Sequence, residues 1–376
     1  MALFIGLMSG TSLDGVDGVL AEFSNAGPDR QRAIHVRAHH HLPFADALRE
    51  PLLGLNRSGS DELHRAALAS NALARIYADV VAALLQSQGL QPSQVQAIGA
   101  HGQTVRHRPL EFDGVGYTLQ LLNGALLAEL CGIDVVCDLR TRDLAAGGQG
   151  APLVPALHAA LFGQPGQATA VLNLGGIGNL TLLGADGAVR GFDCGPGNAL
   201  LDHWCHRHLG NAFDDDGRWA ASGQVDAALL AALLAEPFLQ RPPPKSTGRD
   251  LFNPEWLADA LQRMRVPPTA ADVQATLAEF TVSAATDALA RYAPGVQRLL
   301  VCGGGALNGH LMRRLAASLP GVPVASTAEA GVPPLQVEAL AFAWLARTHV
   351  QRQPGNLQSV TGARGPRVLG ALYPAS

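Results

Sequence analysis

An apolar run, a turn of glycine, serine, threonine and aspartate, and a second apolar run open the chain between Leu3 and Phe23. The same design returns between Ala170 and Leu183, where the turn is built from asparagine and glycine. Each reads as two buried strands joined tightly. Glycine lets backbone N–H groups approach an anion with no Cβ in the way. A device used twice, once in each half of a 376-residue chain, predicts a duplicated scaffold that grips a polyphosphate from both sides of a cleft.

The segments after each pair follow one order. A third strand is expected over 33–40, helices over 44–55 and 60–88, a strand at 95–100, a helix over 121–131 and a strand over 134–139. The second half offers strands at 171–174, 180–183 and 189–193 and helices over 198–209, 225–234 and 271–292. A strand at 298–302, a helix over 310–318, a strand at 322–326 and a last helix over 335–350 complete it. Apolar residues at helical spacing, such as Leu73, Ile76, Val80 and Leu84, support the longest early helix. The expectation is an α/β layer architecture in two lobes. One lobe spans 1–140 and is joined by the tail 366–376; the other spans 141–365.

Apolar residues make up 48% and charged residues 15%, which predicts extensive burial, and a net charge of −4 argues against a nucleic-acid or anionic-membrane partner. No uninterrupted apolar run reaches the roughly 18 residues of a spanning helix, and the N-terminus lacks a leader pattern. The five cysteines, Cys131, Cys137, Cys194, Cys205 and Cys302, form no CxxC pair. Buried, reduced thiols and a cytoplasmic location are expected. Lys245 is the sole lysine, reflecting either base composition or a local need for an ammonium.

Four stretches carry chemistry. The turn from Ser9 to Asp17 offers hydroxyls, amides and two carboxylates; Asp14 or Asp17 suits Mg²⁺ held through water. The alternative is a bare hairpin. The second turn, with Asn173, Gly175 and Gly176, is followed by strand rather than helix, which disfavours a dinucleotide fold. Asp193 ends a strand before Gly-Pro-Gly, a place for a general base or for an Asx-turn acid. A helix from Asn198 would aim N–H groups at the same region. Gly303, Gly304 and Gly305 join a strand to a helix and suggest an adenosine pocket.

Arg106, Arg140 and Arg142 offer forks for a substrate carboxylate, with a surface ion pair as the alternative for Arg140-Thr-Arg-Asp143. The proline-rich loop 241–250 is either functional or a connector. His203 and His206 have metal-compatible spacing but read as helix surface, and the His39–His41 triplet has no assigned role.

Together these motifs resemble the anhydro-N-acetylmuramic acid kinases, of the actin, hexokinase and heat-shock-chaperone ATPase superfamily. The carriers run in order through Gly6–Asp17, Gly102–Thr104, Ala145–Pro155, Asn173–Asn179, Gly191–Asn198, Lys245–Arg249 and Val301–Asn308. The resemblance implies a two-domain actin-like (RNase H-like) fold with a duplicated β-sheet, flanking helices and a central cleft. It implies an ATP- and Mg²⁺-dependent kinase of cell-wall recycling that opens the 1,6-anhydro ring with water and phosphorylates the 6-oxygen. A kinase acting on another sugar or small acid is the alternative.

By the resemblance, Asp193 is the base and Glu338 a supporting acid. Gly10, Thr11, Ser12, Leu13, Asp14, Gly15, Val16 and Asp17 form the ATP-binding segment, with Asn173, Gly175, Gly176 and Gly303–Gly305 also on the nucleotide. Asp14 would meet the metal through water. Gln103, Thr104 and one of Arg106, Arg140 or Arg142 would bind the sugar. A homodimer is also implied, with no nucleic-acid or membrane partner.

Overall fold

The computed structural model describes residues 1–10, 13–24, 34–247 and 251–375. Its contacts divide the chain into two compact units, residues 1–161 with 336–376, and residues 162–335.

In the first unit, strands β1 (Ala2–Met8), β2 (Gly15–Phe23), β3 (Ile34–Pro43), β4 (Val95–Ala100) and β7 (Val135–Cys137) form one sheet with β13 (Ala371–Tyr373). Its order is β13-β7-β4-β1-β2-β3. β1 runs antiparallel to β2 and parallel to β4. In the second unit, β8 (Thr169–Leu174), β9 (Ile177–Leu183), β10 (Val189–Pro196), β11 (Arg298–Cys302) and β12 (Val324–Ser326) take the order β10-β9-β8-β11-β12. Three meandering strands followed by two parallel ones therefore occur twice, in one order. This is the duplicated α/β fold expected of an actin-like chain.

Two boundaries differ from expectation. The helices Thr141–Ala145 and Val154–Phe162 follow the first sheet, and the helix Val337–Val350 packs across β1 and β4. The division thus falls at 161/162 and 335/336 rather than at 140/141 and 365/366. The tail returns to the first sheet as β13, antiparallel to β7. The helix lies so close to the sheet that a Cβ on Gly6 would land on the Ala339 carbonyl, and one on Gly99 on the Phe342 carbonyl.

The helix Glu62–Gln88 has the length and hydropathy, 1.4 over its most apolar window, of a membrane span. Counting uninterrupted apolar residues missed it, because Arg75 and Asp79 punctuate the stretch. It is the core helix of the first unit: Leu73, Tyr77, Val80 and Leu84 are buried with Ile5, Leu7 and Leu20. The corresponding core of the second unit joins Leu172, Leu180, Phe192, Phe280 and Val301.

The hairpin of β5 (Gln103–Pro109) and β6 (Gly116–Leu121) was not legible in the sequence. Only Val105 and Thr118 are buried apart from Gln103, so no period-two apolar signal exists.

Adding a methyl group where sheet and helix backbones touch forces them apart. Gly99→Ala is expected to lower stability by about 1–3 kcal/mol, read as a fall in the urea midpoint. An unchanged midpoint would refute the close approach.

Candidate active site

In the first unit, polar groups fix the β1–β2 turn from below. Buried Ser9 shares a hydrogen bond of 2.9 Å with the Tyr77 hydroxyl and donates to the Gly102 carbonyl at 3.2 Å. Gln103 Nε2 donates to the Gly10 carbonyl at 3.0 Å, and its Oε1 is buried without a partner. Leu13 is buried with φ 58°, in the left-handed region. Asp14 is exposed, and its carbonyl accepts the Phe44 N–H at 3.1 Å. Thr11 and Ser12 lie outside the described residues. Gly15 and Val16 begin β2 and are buried.

Asp17 is placed differently from a simple phosphate-turn acid. Its Oδ1 lies 2.9 Å from His39 Nε2 and 3.2 Å from His41 Nδ1 across the β2–β3 pair. His39 and His41 of the histidine triplet, which the sequence left without a role, are the partners of this carboxylate.

The three arginines separate. Arg106 is tied to Glu62 at 2.7 Å and to the Leu55 carbonyl, so its fork holds two helices. Arg142 is exposed. Arg140 donates to His101 Nε2 from Nε at 3.1 Å and Nη2 at 2.9 Å, and to the Gly150 carbonyl at 2.7 Å. His101 therefore carries its proton on Nδ1 if neutral, and burial with the Arg140 charge pushes its pKa down to about 3. Burial lowers Arg140 to about 10, opposed by the nearby carboxylates of Glu338 and Asp143, so it stays cationic at neutral pH. Thr104 Oγ1 accepts from Gln120 Nε2 at 3.1 Å.

In the second unit, the ends of β8 and β11 meet. Gly303 has φ 77°, and a Cβ there would overlap Asn173 Oδ1 and the Leu174 carbonyl. Asn173 Oδ1 is buried with no hydrogen-bond partner. Gly304 and Gly305 open a short 3₁₀ turn, Gly304–Leu307, before the helix Gly309–Ser318. An orphaned amide oxygen beside bare glycine backbone fits a nucleotide's donors.

The turn at Gly175 and Gly176 corrects one expectation. The N–H groups of Gly197, Asn198 and Ala199 do not aim outward. They donate to the carbonyls of Gly176, Gly175 and Gly176 at 3.0, 2.8 and 3.1 Å. The helix Ala199–Leu209 thus spends the N–H groups of its cap residue Asn198 and of Ala199 on the glycine turn. Since a trans peptide points N–H opposite to C=O, the Gly176 N–H faces away from that helix.

Asp193 lies on β10, the edge of its sheet, where the register with β9 shifts between Asp193 and Gly195. Bulges of this kind re-aim side chains beside active sites. The loop 241–247 covers this edge. Asp193 N–H donates to the Lys245 carbonyl at 3.1 Å, and Thr247 N–H donates to Asp193 Oδ2 at 2.8 Å. Burial pushes the Asp193 carboxyl up to about 7, against the Thr247 hydrogen bond and the Lys245 charge, which pull it down. The residue itself keeps a partly exposed edge. A carboxyl poised near neutrality and reachable from solvent suits general-base work.

Thr247 and His101 were not singled out by sequence reasoning, though Thr247 stood inside the Lys245–Arg249 motif and His101 directly precedes Gly102–Thr104. Gly248 and Arg249 lie outside the described residues. Among the described residues no three His, Cys, Asp or Glu side chains cluster for a metal.

The model of the family described as anhydro-N-acetylmuramic acid kinase matches residues 2–375. A Variovorax paradoxus protein of that description is 63% identical over 378 residues, covering 99% of each chain. A Bordetella petrii protein of the same description is 61% identical over 375 residues, covering 99% of this chain and 96% of that one. Among solved structures, the (R)-2-hydroxyglutaryl-CoA dehydratase component A of Acidaminococcus fermentans overlays with a TM-score of 0.48 at 12% identity, covering 91% of this chain and 96% of that one.

A carboxyl raised in the folded state binds a proton there that the unfolded chain has lost. Its contribution is fully present below about pH 4 and is lost as pH rises through 7. Asp193→Asn is therefore expected to gain stability relative to the parent at pH 8 but not at pH 4, by thermal unfolding. An equal difference at both pH values would contradict the raised value.

Proposed function

The chain belongs to the anhydro-N-acetylmuramic acid kinase family, and from that premise we propose how its residues divide the reaction. It is an ATP-dependent kinase that opens the 1,6-anhydro ring of 1,6-anhydro-N-acetylmuramic acid and phosphorylates the 6-oxygen. Asp193 takes a proton from water. The water oxygen bonds to the anomeric carbon, the bond from that carbon to the 6-oxygen breaks, and the 6-oxygen takes the γ-phosphoryl group while ADP leaves. The observation that carries this role is the desolvated carboxyl of Asp193, raised to about 7 and held at Oδ2 by Thr247.

Phosphoryl transfer gains most from positioning and charge neutralisation. Residues Gly10–Asp17, Asn173, Gly175, Gly176 and Gly303–Gly305 are assigned to ATP. Mg²⁺ when bound neutralises the phosphates, and Asp14 is assigned to it through water. Arg140 is the favoured partner for the lactyl carboxylate, because its acceptors, an imidazole and a carbonyl, leave its positive charge intact. Gln103 and Thr104 are assigned to the sugar, and Glu338 supports the metal or water. A cytoplasmic location is supported by five free, buried thiols. A homodimer is supported by exposed Leu110, Phe112, Val115, Tyr117 and Leu119.

Four measurements test the proposal. Asp193→Asn should lose at least ~10²-fold in kcat with MgATP and the anhydro sugar, and near-normal turnover would remove Asp193 from the role. In the parent enzyme kcat/KM should fall below about pH 7, where the base becomes protonated, and ¹⁸O from water should appear at the anomeric carbon. Arg140→Gln should raise KM for the sugar about tenfold or more, and Arg142→Gln much less. The reverse order would reassign the carboxylate.

A further inference from the structure

Every basic side chain of the Lys and Arg class is arginine except Lys245. Its Nζ donates to the carbonyls of Phe238 at 3.1 Å and Leu239 at 3.0 Å. It lies 4.7 Å from the Phe238 ring centroid and 6.0 Å from that of Phe192. The two carbonyls sit in the short helix Pro237–Gln240, where that of Phe238 also accepts the Arg241 N–H at 3.2 Å. Two oxygens converging on one nitrogen, between aromatic faces, make a seat for a compact ammonium. A planar guanidinium spreads its donors over a rigid fork and does not match it.

The same residue reaches Asp193 through its backbone. Phe192, under the ammonium, precedes Asp193 on β10, and the Lys245 carbonyl accepts the Asp193 N–H. Two residues further on, Thr247 N–H holds the carboxylate. We infer that Lys245 is a positioning residue for Asp193: its ammonium anchors the 245–247 backbone on the edge strand and so holds the carboxylate in place. This rests on Asp193 acting as the base.

The charge also works directly, because it favours the ionised carboxylate. Asp193, Cys194, Arg241 of the loop and Arg291 of the helix Ala270–Tyr292 are the titratable groups around the ammonium. With arginines already on that side, loss of Lys245 removes the cation that is seated, not all positive charge.

Full-length protein labelled with ¹⁵N at lysine Nζ gives one side-chain signal, because there is one lysine. The expected result is a slowly exchanging ammonium at neutral pH; the fast exchange of a solvated lysine would overturn the inference. This readout uses the parent protein and stands even if a variant fails to fold. Lys245→Met should speed hydrogen exchange at the Thr247 amide about tenfold or more. It should lower kcat about tenfold with KM for ATP within about twofold. The acid limb of kcat/KM should move up by about half a pH unit or more. Unchanged Thr247 exchange with an unmoved acid limb would overturn the role. Should Asp193→Asn keep its turnover, the catalytic assignment fails by itself, while the Thr247 amide still decides whether Lys245 anchors the loop.

Discussion

One hydrogen bond, from the Thr247 N–H to Asp193 Oδ2, joins the chemistry of this chain to its architecture. β10 is an edge strand, and an edge leaves backbone groups unpaired. The loop that follows the helix Pro237–Gln240 covers that edge, and in covering it desolvates the aspartate. Burial alone would leave a carboxyl too hard to ionise for work at neutral pH. A single N–H donor and a nearby ammonium bring it back to about 7. Packing of an edge strand and tuning of the Asp193 carboxyl, the proposed base, are thus one event.

Burial acts in the opposite sense on Arg140. The usual partner of a buried guanidinium is a carboxylate, which cancels its charge. Here the direct acceptors are the neutral ring of His101 and the Gly150 carbonyl. His101 is itself kept neutral by burial and by the Arg140 charge. Orientation is fixed by neutral acceptors, with the Glu338 and Asp143 carboxylates acting through their charge, which distinguishes Arg140 from Arg106, paired directly with Glu62 at 2.7 Å.

The strand pairs were legible because their signals are local. Apolar runs broken by glycine turns mark β1, β2, β8 and β9, and the later strand–helix order follows from periodicity. The β5–β6 hairpin was not legible, since its strands bury too little apolar surface to set a period. The helix Glu62–Gln88 was legible as a helix, yet only its packing with Ile5, Leu7 and Leu20 identifies it as core rather than a span. Residue type singled out Arg106, Arg140 and Arg142 together, because all three present the same fork. The N-terminus of the helix Ala199–Leu209 was legible too, but the carbonyls that absorb its N–H groups come from another strand pair.

By itself the sequence determined the duplicated strand order, the glycine turns and the family, because each is written in local pattern and motif order. Tertiary structure decided which arginine sits against a neutral imidazole rather than a carboxylate, which N–H groups are spent, and which backbone holds Asp193. Those outcomes depend on contacts such as Lys245 to Phe192 and Arg140 to His101, between residues distant in the chain. Burial and partner geometry, which set every pKa and every hydrogen bond here, exist only once the chain has closed on itself.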